Sequence, residues 1–396
     1  MEAYALDWLN LLLRWLHIIT GIAWIDASFY FIWLDNSLEA PTKDSDIQRG
    51  VSGKLWAVHG GGFYHAEKFR SRPPSIPERL HWFKWEAYWT WLSGFALLII
   101  VYYAGADLYL IDRSVAELSR ASAIGIGIAF IAGGWIVYDL LCKSPLARNE
   151  TTLMALLFIL LCVAAWALTQ LFGGRGAYMH FGSMLGTIMV ANVAMVIMPA
   201  QRAMVRAAEA GQDPDPTFGI AGKQRSVHNT YFTLPVLFVM MSNHYAWTYG
   251  HRYNWALLIA LSVAGALIRV WFVDRHKGKQ TPLTLVVASV MLALVFWAGM
   301  PQTRVSNGGA DFKQVRTVVQ TRCATCHAQT PTFAGISAPP KGVLLETDAQ
   351  IRAQSVLILQ QVVTTRVMPP GNLSGMTEDE RALIARWASP SQLQGK

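Results

Sequence analysis

Residues 151–172 read TTLMALLFILLCVAAWALTQLF, a run of 22 residues without a charged side chain. About 20 mostly apolar residues are enough for a helix to cross the hydrocarbon core of a membrane. Seven other stretches have a similar character, so the sequence predicts an all-α protein, a polytopic bundle of about eight transmembrane helices. The eight stretches lie at about 7–34, 86–105, 121–142, 151–172, 177–200, 228–248, 253–273 and 282–301.

The composition also indicates a protein of the lipid bilayer. Hydrophobic residues make up 53% of the 396 residues and charged residues only 15%, against about 25% charged residues in soluble domains. The 16 Trp and 13 Tyr fit rings that collect at the membrane interface. The net charge of +8 does not indicate a nucleic-acid partner, because the basic residues fall mostly in short loops between apolar runs.

The distribution of basic residues predicts the orientation. The connections near 35–85, 143–150, 201–227 and 274–281 carry most of them, including Arg225, whereas the opposite connections carry Arg113, Arg120, Arg175 and Arg252. Loops rich in Lys and Arg remain in the cytoplasm. We therefore expect a multi-pass protein of the bacterial inner membrane with both termini in the periplasm.

The sequence Cys323-Ala324-Thr325-Cys326-His327 is a C-x-x-C-H motif, the attachment signal for c-type haem. In this motif the two thiols bond the haem and His327 ligates the iron. Met368, in Val-Met-Pro-Pro, is the expected sixth ligand. Haem c is attached outside the bacterial cytoplasm, which agrees with the orientation drawn from the basic residues.

The composition changes after Pro301. We expect a membrane domain over 1–301, a flexible linker over 302–310 and a small domain over 311–396 that resembles class I cytochromes c. Two helix starts are predicted in the small domain: Asp311 as an N-cap, and Thr377 with Glu380 as a capping box.

Titratable residues at membrane depth are candidates for function, because burying them in lipid is costly. Arg14 and His17 share a face of the first helix near its outer end, and His180 and His244 lie at the same level of the fifth and sixth spans. The sequence predicts that these four residues converge on one catalytic site. A second group, His59, His65 and His228, lies towards the cytoplasm. Each of these histidines could equally be a packing residue, and histidine pairs between helices also hold b-type haem.

The whole chain resembles the bacterial membrane-bound urate oxidase (urate hydroxylase) family, a membrane domain of eight helices fused to a cytochrome c. Four stretches carry the resemblance: Arg14–Trp24, Ser28–Asp35, His59–Tyr64 with Lys68, and Cys323–His327. It implies oxidation of urate to 5-hydroxyisourate, with electrons passing to one covalent haem c and then to a respiratory acceptor or a soluble cytochrome. On this hypothesis Arg14 or a nearby cation holds the urate anion, and a histidine such as His17 accepts a proton.

Two other classes of function fit parts of the sequence. A quinol-linked membrane cytochrome would hold an additional b-type haem between intramembrane histidine pairs and perform electron transfer only. A transporter with a fused redox switch would bind urate without reducing the haem. Reduction of the haem by urate, but not by quinol, favours the enzyme.

Overall fold

The computed structural model describes residues 2–300, 310–333 and 336–388. Most of these residues are helical, in agreement with the predicted all-α class. Residues 302–309 of the expected linker lie outside the described residues, and the domain boundaries remain a prediction. We call residues 2–300 the N-terminal region and residues 310–388 the C-terminal region.

Helices of the N-terminal region follow the apolar runs of the sequence. A π-helical turn over Leu98–Tyr103 extends α3, and another over Asn192–Ile197 joins α7 to α8. The helices are α1 (Glu2–Ser37), α2 (Asp44–Gln48), α3 (Trp85–Leu97), α4 (Ala106–Tyr109), α5 (Arg120–Lys143), α6 (Glu150–Leu171), α7 (Gly174–Ala191), α8 (Met198–Glu209), α9 (Pro216–Ser242), α10 (Ala246–Tyr249), α11 (Asn254–His276) and α12 (Pro282–Ala298).

Five helical segments of the described residues are long and apolar enough to cross a membrane: Tyr4–Ser37, Arg120–Lys143, Glu150–Leu171, Gly174–Glu209 and Asn254–His276. The other three expected spans coincide with α3, α9 and α12, which are shorter or more polar. The long apolar helices support a helical membrane protein, and the number of eight spans stays a prediction. α7 lies at the centre of the bundle, where it contacts α3, α5, α6 and α9.

A β-hairpin stands in the segment that the sequence analysis treated as a basic loop. Strand β1 (Val51–His59) pairs antiparallel with β2 (Gly62–Phe69). The connecting Gly60 and Gly61 have φ of 56° and 80°, values that strongly favour glycine in a two-residue hairpin turn. Hydrogen bonds from Lys54 and Arg49 hold the pKa of the Asp46 carboxyl at about 2, and they tie α2 to the hairpin.

The C-terminal region forms its own hydrophobic core, which includes Val319, Ile351, Ile384 and Trp387. Its helices are α13 (Phe312–Arg322), α14 (Asp348–Ala353), α15 (Ser355–Ile358) and α16 (Glu378–Trp387). Both predicted helix starts are confirmed. Asp311 accepts a hydrogen bond from the Lys313 amide, and Thr377 forms the capping box with Glu380.

Candidate functional site

His17 lies where α1 packs on α3. Its Nδ1 donates a hydrogen bond to the Thr90 carbonyl oxygen (2.9 Å), which leaves Nε2 as the ring nitrogen with a lone pair. A Cβ atom at Gly94 would lie 2.7 Å from Cε1 of His17, so glycine lets the two helices approach at the imidazole. Arg14 is exposed, bonds to Asn10 (2.5 Å), and lies within electrostatic range of His17.

A polar group that the sequence analysis did not predict joins α3, α4, α7 and α9. Asn243 Oδ1 accepts hydrogen bonds from the Tyr102 hydroxyl (3.1 Å) and from Arg175 Nε (2.9 Å). The Arg175 guanidinium lies 5.8 Å from the ring centroid of Tyr102 and 4.7 Å from that of Tyr109. We call Tyr102, Tyr109, Arg175 and Asn243 the Arg175 cluster. Arg14 is within electrostatic range of Tyr102, so two arginine charges act at this end of the bundle.

His180 and His244 have different surroundings. His180 is fully buried; its Nδ1 donates to the Gly176 carbonyl oxygen (2.8 Å) and its Nε2 lies 3.3 Å from the Tyr103 hydroxyl. A Cβ at Gly127 would lie 2.5 Å from that Nε2, so the imidazole is enclosed by α5. His244 is exposed and follows Asn243 of the Arg175 cluster directly in the chain. No hydrogen bond among the described residues joins two of the four residues Arg14, His17, His180 and His244.

A second polar network, nearer the opposite end of the bundle, is buried between α5, α7 and α9. The Tyr138 hydroxyl bonds to His228 Nδ1 (2.7 Å) and accepts from Asn192 Nδ2 (3.1 Å), which also donates to Asn229. Arg225 pairs with Asp139 across 2.8 Å and is only 3% exposed. This corrects one expectation: the sequence places Arg225 in a loop, but α9 buries it, because Asp139 and Asn192 satisfy its charge and donors.

The C-x-x-C-H motif follows α13 in the C-terminal region. His327 Nδ1 donates to the Val343 carbonyl oxygen (3.0 Å), so Nε2 is the nitrogen left for a metal. Cys323 and Met368 both pack against the core of this region, and burial raises the pKa of the Cys323 thiol to about 12. The arrangement fits a haem held by Cys323, Cys326, His327 and Met368. Among the described residues no group of three or more His, Cys, Asp or Glu could hold a metal ion by itself.

A buried arginine fixes the backbone around Met368. Arg381 is 7% exposed and donates to the carbonyl oxygens of Met368 (2.9 Å) and Val362. The Met368 amide in turn donates to the Gln361 carbonyl oxygen (3.1 Å). The Val-Met-Pro-Pro sequence predicts Met368 as a ligand, but no local signal indicates Arg381, which lies 13 residues further along the chain and meets Met368 only through the fold.

The loop after Met368 rests on the N-terminal region. Pro370–Asn372 contacts α4, and the Arg113 amide lies 3.4 Å from the Gly371 carbonyl oxygen. On the other side, a Cβ at Gly250 would lie 1.9 Å from the Thr365 carbonyl oxygen. Since α4 carries Tyr109, the expected haem-ligand loop and the Arg175 cluster pack against the same four-residue helix.

Comparison with known families gives a match over most of the chain. Residues 3–299 match the family model described as "Urate oxidase N-terminal". Searches of curated proteins and of solved structures gave no match.

Proposed function

Because the chain belongs to the urate oxidase N-terminal family, we propose that it oxidises urate to 5-hydroxyisourate at the membrane and passes the electrons to its own haem c. The family supports an oxidoreductase acting on urate. Transfer of the electrons to the chain's own haem is supported by one contact. The loop after Met368 packs on α4, which contributes Tyr109 to the Arg175 cluster. A polar site with one arginine and two tyrosines thus lies next to the region that bears the C-x-x-C-H motif.

The Arg175 cluster is the proposed substrate site, together with Arg14, His17 and His244. Urate is a planar anion, and guanidinium groups suit planar anions because they offer several N–H donors in one plane. Arg175 comes from α7 and Arg14 from α1, so a ligand between them would contact two elements. The rings of Tyr102 and Tyr109 supply flat apolar walls. His180 lies in the adjacent contact between α5 and α7.

His17 is the proposed proton acceptor. Conversion of urate and water to 5-hydroxyisourate releases two electrons and two protons. The bond from Nδ1 to the Thr90 carbonyl oxygen fixes the neutral tautomer whose Nε2 can take a proton. General bases of this kind commonly contribute about 10²–10⁴-fold to a rate.

Cys323 and Cys326 would bond the haem, and His327 and Met368 would ligate its iron. When bound, haem c would supply one-electron redox chemistry. Oxidation of one urate would then need two one-electron transfers, with a respiratory acceptor or a soluble cytochrome as the final oxidant. The expected location is the inner membrane with the cytochrome domain in the periplasm, which the long apolar helices and the loop charges support.

The alternative of a quinol-linked cytochrome needs histidine pairs that can hold b haem. His180 fits this poorly, because its Nε2 faces the Tyr103 hydroxyl and the close-packed Gly127. These contacts argue against His180 as a ligand of b haem, and we propose one haem c per chain.

The test uses purified full-length holoprotein in detergent without oxygen. Urate is added to the oxidised protein, and the haem absorbance is followed. We expect urate to reduce the haem and quinol to leave it oxidised. Arg175→Gln should slow reduction at least tenfold, while Arg252→Gln, an exposed arginine stacked on Tyr253, should not. Reduction by quinol with no response to urate would overturn the proposal.

A further inference from the structure

One face of α11 carries three polar side chains with unsatisfied buried atoms. They are Ser262 Oγ, Arg269 Nε and Nη2, and His276 Nδ1, none of which has a hydrogen-bond partner within the described residues. The three residues are seven positions apart, and seven residues make almost two turns of an α-helix. They therefore share one face, which we call the α11 stripe.

Arg269 is the centre of the stripe. It is only 4% exposed, and its guanidinium carbon lies 3.6 Å from the ring centroid of Phe29 on α1. Tyr231 of α9 is within electrostatic range. The nearby Asp274 carboxylate accepts a hydrogen bond from Thr281, and no ion pair of Arg269 occurs among the described residues.

A second buried arginine, Arg225, has hydrogen-bonding partners for its charge. Arg225 has the Asp139 carboxylate at 2.8 Å and the Asn192 oxygen at 3.3 Å. Buried charges in proteins are paired or bound to a ligand, because removal from water is costly. Arg269 has an aromatic ring on one side and two free N–H donor groups, which is the chemistry of an anion site.

We infer that the α11 stripe binds a small planar organic anion, with an oxygen of the anion on Arg269. The stripe runs towards His276 at the end of α11, which the loop charges place at the cytoplasm, and Arg269 is about 10 Å of helix from that end. The identity of the anion rests on the proposed function: it is urate, which enters from the cytoplasmic side. An inner-leaflet phospholipid offers the same oxyanion chemistry from a second source.

The binding test uses orotate, a planar heterocyclic anion that cannot yield 5-hydroxyisourate, so that it is independent of urate turnover. Radiolabelled orotate is dialysed against full-length holoprotein in phosphatidylcholine nanodiscs. Arg269→Gln should lower the number of orotate molecules bound per chain by one, or weaken that site at least tenfold. Arg275→Gln, an exposed arginine on the same helix, should bind like the wild type.

Thermal unfolding supplies a second readout. Orotate should raise the melting temperature of the wild type, because a ligand that binds the folded state stabilises it. Without ligand, Arg269→Gln should melt no lower than the wild type, since it removes an unpaired buried charge. In Arg269→Gln, orotate should raise the melting temperature less than in the wild type, because binding at the α11 stripe is lost.

The outcomes separate the possibilities. If orotate binds and stabilises the wild type and Arg269→Gln equally, the proposal that the α11 stripe binds an anion is wrong. Phospholipid that co-purifies with the wild type but not with Arg269→Gln, with orotate binding unchanged, would also overturn it in favour of a lipid phosphate. If urate fails to reduce the haem while orotate binding still requires Arg269, the proposed function fails and the stripe stands.

Discussion

The guanidinium of Arg175 lies 4.7 Å from the ring centroid of Tyr109, and Tyr109 belongs to the short helix on which the loop after Met368 rests. Two residues from α4 and α7 thereby connect the polar end of the helical bundle with the expected haem-ligand loop. On the proposed function, the substrate site therefore lies against the C-terminal region.

Gly250 tests the contact between the two regions. Gly250→Ala should push the Thr365 carbonyl away, because the new Cβ would lie 1.9 Å from that oxygen. We expect at least tenfold slower reduction of the haem by urate, with an unchanged haem spectrum, in stopped-flow absorbance. Gly186→Ala is the control, since no heavy atom lies within 4 Å of its added Cβ. An unchanged rate in Gly250→Ala would refute a role for this contact.

His17→Ala should lower urate turnover by roughly 10²–10⁴-fold, the usual contribution of a general base, while the haem spectrum stays intact. The physical reason is loss of the Nε2 acceptor that the bond to Thr90 prepares. Steady-state urate consumption measures the effect. His251→Ala, in the loop before α11, serves as the control, and turnover surviving in His17→Ala would show that another group takes the proton.

Arg381 should position the methionine ligand. Arg381→Gln removes donors from the carbonyl oxygens of Met368 and Val362, and a lost hydrogen bond to a charged group costs about 1.5–3 kcal/mol. We expect a weaker absorption band of methionine-ligated iron and a lower reduction potential. Arg316→Gln, whose exposed ion pair with Asp348 is worth at most about 1 kcal/mol, should change neither. Wild-type band and potential in Arg381→Gln would contradict the assignment.

Asp139 should be essential for the stability of the buried network. Asp139→Asn leaves the Arg225 guanidinium without its carboxylate, and breaking a buried pair in this way costs about 3–5 kcal/mol. Thermal unfolding in detergent should show a clearly lower midpoint. Lys143→Gln removes only the exposed partner of the same carboxylate and should unfold close to the wild type; equal midpoints for both variants would argue against the network.

The junction of α2 and the hairpin should loosen in acid. The pKa of Asp46 is lowered to about 2 by its bonds to Lys54 and Arg49. A carboxyl with a lowered pKa stabilises the folded form above its ordinary value of 3.8, and this contribution is lost as pH falls towards 2. Hydrogen exchange of the Lys54 amide should be faster in Asp46→Asn than in the wild type at pH 6. The two proteins should converge near pH 2; a constant difference would exclude Asp46 as the titrating group.

Features that depend on neighbours in the chain could be predicted from the sequence. The apolar runs set the positions of the long helices, and Asp311 and Thr377 marked helix starts, because apolar length and capping are local properties. The motifs of the first helix indicated urate oxidase, and the family match over 3–299 agrees. The C-x-x-C-H motif lies outside that match, and the cytochrome domain stays a prediction. For the β-hairpin, the adjacent glycines Gly60 and Gly61 are the sequence feature that indicates a turn.

Which polar residues meet was decided only by the tertiary structure. Asn243 accepts hydrogen bonds from Tyr102, which is 141 residues away in the chain, and from Arg175, which is 68 residues away. No local sequence pattern encodes such a pairing. The sequence grouped His180 with His17, and the tertiary structure shows that His180 packs against Gly127 and Tyr103. Arg225 pairs with the Asp139 carboxylate, whereas Arg269 has no ion pair among the residues that the structure describes. Local hydrophobicity determined where the helices lie, because it is a property of neighbouring residues. Helix packing, which sets which faces meet, determined which buried charges gain a partner.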